Sequence, residues 1–211
     1  MDIAFDDLSA YQRYKLMASL IVPRPIALVT TLGGDGTVNA APFSMFNMVG
    51  EDPPLVMLSV NRHHADGRMK DTAANILANG EFVVHLPDEG IAEQMHRCAE
   101  PLPSGVSEVA AVGFTTAPSS SVRVPRIEQA PVAFECVLHE QLVNESRYVF
   151  FGRVQVLHAR EGLIDTERWR VRLQDYFPVA RFGASFYVNT RDRFSIDGAD
   201  REARTTSIDE I

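Results

Sequence analysis

Two runs in the second half of the chain constrain its fold most. In Val132–Leu138, the residues Val132, Phe134, Cys136 and Leu138 share one face of an extended chain, and Ala133, Glu135 and Val137 share the other. In Tyr148–His158, Tyr148, Phe150, Gly152, Val154 and Val156 fall together. A period of two belongs to strands, and antiparallel strands with one polar side show it most plainly. The linker Gln141–Arg147 between the runs is short. Its Asn144-Glu145-Ser146 has the form of a glycosylation sequon and no more.

Earlier segments repeat the strand signal. Ile26–Thr31 and Val38–Pro42 are apolar runs joined by Gly33-Gly34-Asp35-Gly36, which predicts a hairpin. Leu55–Val60 is a third run, opened by Asp52-Pro53-Pro54, and Glu81–Leu86 follows the turn Asn79-Gly80. Helical spacing is found in fewer places. An amphipathic stretch covers about 7–20, with Asp6 or Asp7 as N-cap, and Pro23 and Pro25 stop it. Gly90–Cys98 carries the helical pair Ile91 and Met95, and Asp165–Arg172 reads as a short helix bearing Trp169. Glu100–Arg126 is rich in Pro, Ser and Gly and predicts a long surface excursion with short ordered pieces. About six strands against two or three helices make a mostly β domain, and successive hairpins point to an antiparallel barrel. No GxGxxG follows a strand, so a βαβ dinucleotide fold is not expected. The chain reads as one domain over 1–211, with a charged tail over about 197–211.

Composition removes several function classes. The formal net charge of −8 argues against a general nucleic-acid binder or an anionic-membrane binder, though not against a local basic pocket. No apolar run is long enough to span a bilayer, and the acidic opening MDIAFDDLSAYQRYK has no signal-peptide core, so a cytoplasmic location is expected. Cys98 and Cys136 form neither a disulfide framework nor a metal motif. Cys98 beside Arg97 reads as a reactive thiol or as a semi-buried one. The six histidines are scattered, with His63-His64 as a loop pair, and no HExxH or GxSxG is present. No metal site and no catalytic side chain is expected.

What remains is binding chemistry. Arg62, Arg68 and Lys70 lead into Asp71-Thr72 at a helix start, where free N–H groups and the helix dipole favour an anion. Asn39 and Ser44 stand among small residues, which either admit a ligand close to the backbone or fill a tight barrel. Arg24, held between two prolines, either faces a ligand or fixes the strand entry. Such a set suits a cofactor that brings its own reactivity. A flavin fits, with Arg62, Lys70 and Thr72 on its phosphate and Asn39, Ser44 and the Thr30-Thr31 backbone at its ring or ribityl chain.

A series of short motifs carries a resemblance. They are Pro23-Arg24-Pro25-Ile26-Ala27-Leu28-Val29, Asn39-x-x-Pro42-Phe43-Ser44, Asp52-Pro53-Pro54 and Lys70-Asp71-Thr72-x-x-Asn75-Ile76, then Gly113-Phe114-Thr115, Pro125-Arg126-Ile127, Glu135-Cys136, Gly152-Arg153-Val154 and Ala180-Arg181-Phe182-Gly183. In this order the sequence resembles the flavin reductase-like family with the FMN-binding split-barrel fold, over about Tyr14 to Phe194. The resemblance implies a six-stranded split barrel, a homodimer with FMN near the subunit interface, and hydride transfer from NADH or NADPH to the flavin. A partner oxygenase is implied as well. It places Arg24 and Arg181 in the cofactor-binding set with the residues above. One departure stands out. Shorter members carry a Gly-Asp-His stretch, linked to nicotinamide handling, before the strand of Gly152. Here Asn144-Glu145-Ser146-Arg147 stands there, with Arg147 about where the His would be. An FMN-binding protein that only carries electrons is the alternative, and a split barrel holding haem or pyridoxal phosphate is a third reading.

Overall fold

The computed structural model describes residues 1–63, 66–102 and 106–194. The expected charged tail and His64 lie outside the described residues. Seven strands form one antiparallel sheet: β1 (Ala27–Leu32), β2 (Val38–Phe43), β3 (Phe46–Glu51), β4 (Pro54–Asn61), β5 (Glu81–Leu86), β6 (Val132–Val143) and β7 (Arg147–Ala159). Their order is β2-β1-β5-β6-β7-β4-β3. The two edge strands, β2 and β3, follow each other in the chain with only Ser44 and Met45 between them. The Met45 carbonyl accepts from the Ser59 N–H at 2.9 Å, so the corner is tied to β4 and the sheet curls into a barrel.

The alternation of β6 and β7 sorts the core. Phe134, Cys136, Tyr148, Phe150 and Val154 face the barrel interior with Val29, Leu58, Phe82 and Val84. Helix α1 (Ala10–Leu20) lies outside the barrel, and α2 (Asp71–Asn79) closes one end with Ala73 and Ile76, both fully buried. A second layer packs Leu28 and Ala40 against α3 (Ala92–Arg97) and α4 (Glu108–Ala111). The edge of β2 is covered by α4, whose Glu108 accepts from the Ala40 N–H.

Several expectations need correction. The strand Phe46–Glu51 has no alternation, since residues 47–49 are all exposed, and backbone pairing with β4 alone creates it; it adds a seventh strand to the main sheet, where the sequence predicts about six. Asp165–Arg172 is not a helix but a small hairpin pairing Ile164–Asp165 with Arg170–Val171. Asp165 Oδ1 accepts from the N–H groups of Glu167 and Arg168, which sets the turn. The first helix begins at Ala10, not near residue 7, because Ser9 and Gln12 form a reciprocal capping box. The excursion after Glu100 carries, among its described residues, the short ordered pieces expected of it: Thr116–Ala117 pairs with Arg126–Ile127, and the Ile127 N–H donates to His85 Nε2 at 2.9 Å.

Candidate functional site

Three pieces of chain meet beside the barrel corner. Tyr11, Tyr14, Lys15, Ala18 and Ser19 form one face of α1, at helical i, i+3, i+4 spacing. Pro42, Phe43 and Ser44 come from the corner, and Arg24 and Arg181 from a short outer ladder in which they are direct cross-strand partners. Together with Arg147 from the start of β7, these residues line a cavity of about 480 Å³.

Arg24 is buried and is both wall and brace. Its guanidinium donates to the carbonyls of Ala18 and Ile21 (the latter at 2.7 Å), capping the C-terminus of α1, and to Ser44 Oγ at 3.3 Å. Arg181 lies 4.7 Å from the Tyr187 ring centre. Among the described residues, no Asp or Glu lines the cavity. Among the described residues, Lys15, Arg24, Arg147 and Arg181 make no ion pair.

A second cluster sits at the start of α2. Asn39 Nδ2 donates to Thr72 Oγ1 at 3.1 Å and to Thr31 Oγ1 at 3.3 Å, and Asn75 Nδ2 donates to Thr31 Oγ1 at 3.0 Å. The N-cap residue is Lys70, and no side chain caps the helix. A helix start left this way presents N–H donors and positive potential to an anion. The Lys70 ammonium stands 5.9 Å from the Phe43 ring centre, and Phe43 also lines the cavity. Burial, and then the nearby Arg147 charge, lower the Lys70 pKa below its ordinary value. The cluster and the cavity are therefore joined through Phe43 and Lys70. A phosphate at the helix start and a planar ring in the cavity fit this arrangement.

The expected residues separate into groups. Arg24, Ser44 and Arg181 share the cavity, and Thr31, Asn39 and Thr72 share the network. Lys70 lies between them. Arg62 flanks the site, its guanidinium 4.5 Å from the Tyr148 ring centre. Thr30 is not brought in: it is fully buried, its backbone lies in the ladders with Ala40 and Val83, and its hydroxyl donates to the Pro125 carbonyl at 2.9 Å. Arg68 is exposed and bonded to Asp66. Tyr11, Tyr14 and Lys15 escaped sequence reasoning, although their spacing on one helix face could have revealed them. Cys98 is buried, and burial followed by the Glu108 charge pushes its pKa up to about 12, which leaves it an unreactive thiol. Among the described residues, no three His, Cys, Asp or Glu side chains gather in a metal-binding group.

The antiparallel barrel, closed through the two-residue corner Ser44-Met45, is a split barrel. A split-barrel-domain protein of Shewanella frigidimarina NCIMB 400 shares this fold at 18% identity, with a TM-score of 0.77 over 94% of this chain and 100% of that one. The flavin reductase like domain matches residues 17–174, and the chain belongs to that family, whose membership supports flavin binding. Two solved structures are more similar in sequence. The 2-nitrobenzoate 2-nitroreductase NbaA of Pseudomonas fluorescens is 41% identical, with a TM-score of 0.85 over 95% of this chain and 98% of that one. Component B of nitrilotriacetate monooxygenase from Bacillus cereus is 32% identical, with a TM-score of 0.87 over 93% and 98%.

Proposed function

We propose that the protein is an FMN-dependent oxidoreductase whose electron donor is NADH or NADPH. The observation that carries this reading is the start of α2, where Lys70, the Thr72 hydroxyl and N–H groups that no side chain caps stand beside Phe43 of the cavity wall, an arrangement that suits a phosphate. Bound FMN supplies the two-electron chemistry, and the chain's residues bind and orient it. Lys70 and Thr72 hold the phosphate, and Arg62 adds positive potential at the rim. Asn39, which also donates to Thr31, fixes the Thr72 hydroxyl. Ser44, Arg24 and Arg181 border the ring, and α1 screens it from water.

The homodimer belongs to the same reading, as does a partner oxygenase, in keeping with a relative that is a monooxygenase component. Among the described residues, no helix is long and apolar enough to cross a membrane. Arg147, in place of the family's His, favours a second reading in which FMN stays bound and passes electrons without meeting a nicotinamide.

The test is an absorbance spectrum after incubation with FMN and desalting, followed by anaerobic NADH and then NADPH. A retained flavin that bleaches with either nucleotide is the expected result. A retained flavin that ignores both establishes the electron-carrier reading instead. Absence of saturable FMN binding in a direct titration would overturn both.

A further inference from the structure

The cavity walls hold more positive charge than one phosphate monoester requires. Lys15, Arg24, Arg147 and Arg181 all line it, with no carboxylate among the described residues of its wall. Arg24 and Arg181 stand directly opposite each other on an antiparallel ladder, where like charges destabilise the pair. The α1 carbonyls answer the charge of Arg24. Arg181 rests on Tyr187 and donates to the Ala184 carbonyl. Arg147 and Lys15 have weaker company. The Arg147 guanidinium lies 5.9 Å from the Tyr14 ring centre and reaches the Ser59 carbonyl only at 3.4 Å. The Lys15 ammonium lies 5.6 Å from the Tyr11 ring centre. Burial lowers the pKa of Arg147, as expected of a cation held partly out of water.

We propose that this end of the cavity is a second anion subsite, taking a small planar carboxylate of the benzoate type. Arg147 and Lys15 hold the carboxylate, and Tyr11 and Tyr14 hold the ring. The proposal rests on the FMN reading, which assigns the flavin phosphate to Lys70 and Thr72 and leaves Arg147 for another anion. A guanidinium presents parallel N–H donors that match a carboxylate, and its plane stacks on aromatic faces. Its charge is also permanent. A His at this place would be mostly neutral near pH 7–8 and would hold an anion less well.

Benzoate is titrated into FMN-loaded protein while the flavin spectrum is followed, and into flavin-free protein by calorimetry. Benzamide is the neutral control. Benzoate should bind at least about tenfold more tightly than benzamide. Arg147→Gln and, separately, Lys15→Gln on the exposed helix face should each weaken benzoate, the former by about tenfold, and by more than any accompanying change in FMN affinity. Lys70→Ala should do the converse. The proposal is overturned if benzoate gives no signal in either state or if benzamide binds equally well. It is also overturned if the Arg147 change spares benzoate while weakening FMN or raising the KM for NADPH. Flavin retained without benzoate binding sinks this proposal alone. Benzoate binding through Arg147 in a protein that cannot hold FMN sinks the flavin reading alone.

Discussion

Thr30 and Thr31 show how far a single residue's surroundings decide its role. They are neighbours on β1 and both fully buried, yet the strand's period of two turns their hydroxyls to opposite faces. Thr30 is spent on the Pro125 carbonyl, while Thr31 accepts from Asn39 and Asn75 beside the helix start. Their chemistry is the same and only the register differs. Lys70 is the other residue whose place matters most, since it is the N-cap residue of a helix start that no side chain caps and its ammonium stands over Phe43 of the cavity wall. Lys70→Ala should weaken FMN by about 1.5–3 kcal/mol, the usual worth of a charge-assisted hydrogen bond, as read by fluorescence titration. Unchanged affinity would place the phosphate elsewhere.

At the scale of elements, β7 and the segment over β6 carry the strongest constraints. Gly152 lies on β7 where a Cβ would come within 2.3 Å of Phe82 Cζ, and Phe82 is fully buried in the barrel. The ring cannot swing aside in a close-packed interior. Gly152→Ala should therefore destabilise the fold by about 1–3 kcal/mol or more, measured as a lower urea midpoint with little change in slope. On the outer face, fully buried Glu135 accepts from the N–H groups of Ser120 and Ser121 at 2.6 and 2.5 Å, from Ser121 Oγ at 2.6 Å, and pairs with His158. Burial alone would raise its pKa, but these donors outweigh it and hold the carboxyl at about 2. Glu135→Gln should loosen the segment 118–124, seen as faster amide exchange at Ser120 and Ser121.

The whole molecule answers to pH through two buried groups. His85 holds the Leu28 carbonyl with Nδ1 at 2.9 Å and accepts the Ile127 N–H with Nε2, so it is neutral with its proton on Nδ1. Burial brings its pKa down to about 4 from an ordinary 6.5. Between those values the unfolded chain binds the proton and the folded protein does not, so stability falls as pH drops from 6.5 towards 4, by on the order of 3 kcal/mol. Glu135 extends the loss from its ordinary 4.5 down to about 2, because the unfolded carboxyl protonates first. Urea unfolding at pH 7 and pH 4 should show the first decline, and His85→Gln should flatten it; an equal slope in the variant would assign the decline to other groups. The sequence by itself determined the strands whose alternation separates barrel interior from exterior, the hairpin over Gly33–Gly36, and the helix start at Lys70-Asp71-Thr72. Each is set by periodicity or by turn and cap chemistry within a few residues. It also held the family motifs, and hence most of the candidate site. Only the tertiary structure decided that Phe46–Glu51 is a strand, since backbone pairing creates it without any apolar pattern. The tertiary structure likewise brought Tyr14 and Lys15 of α1 to Arg147 of β7 across one cavity. Those contacts join residues more than a hundred positions apart, and the closure of the barrel, not local preference, sets their distance.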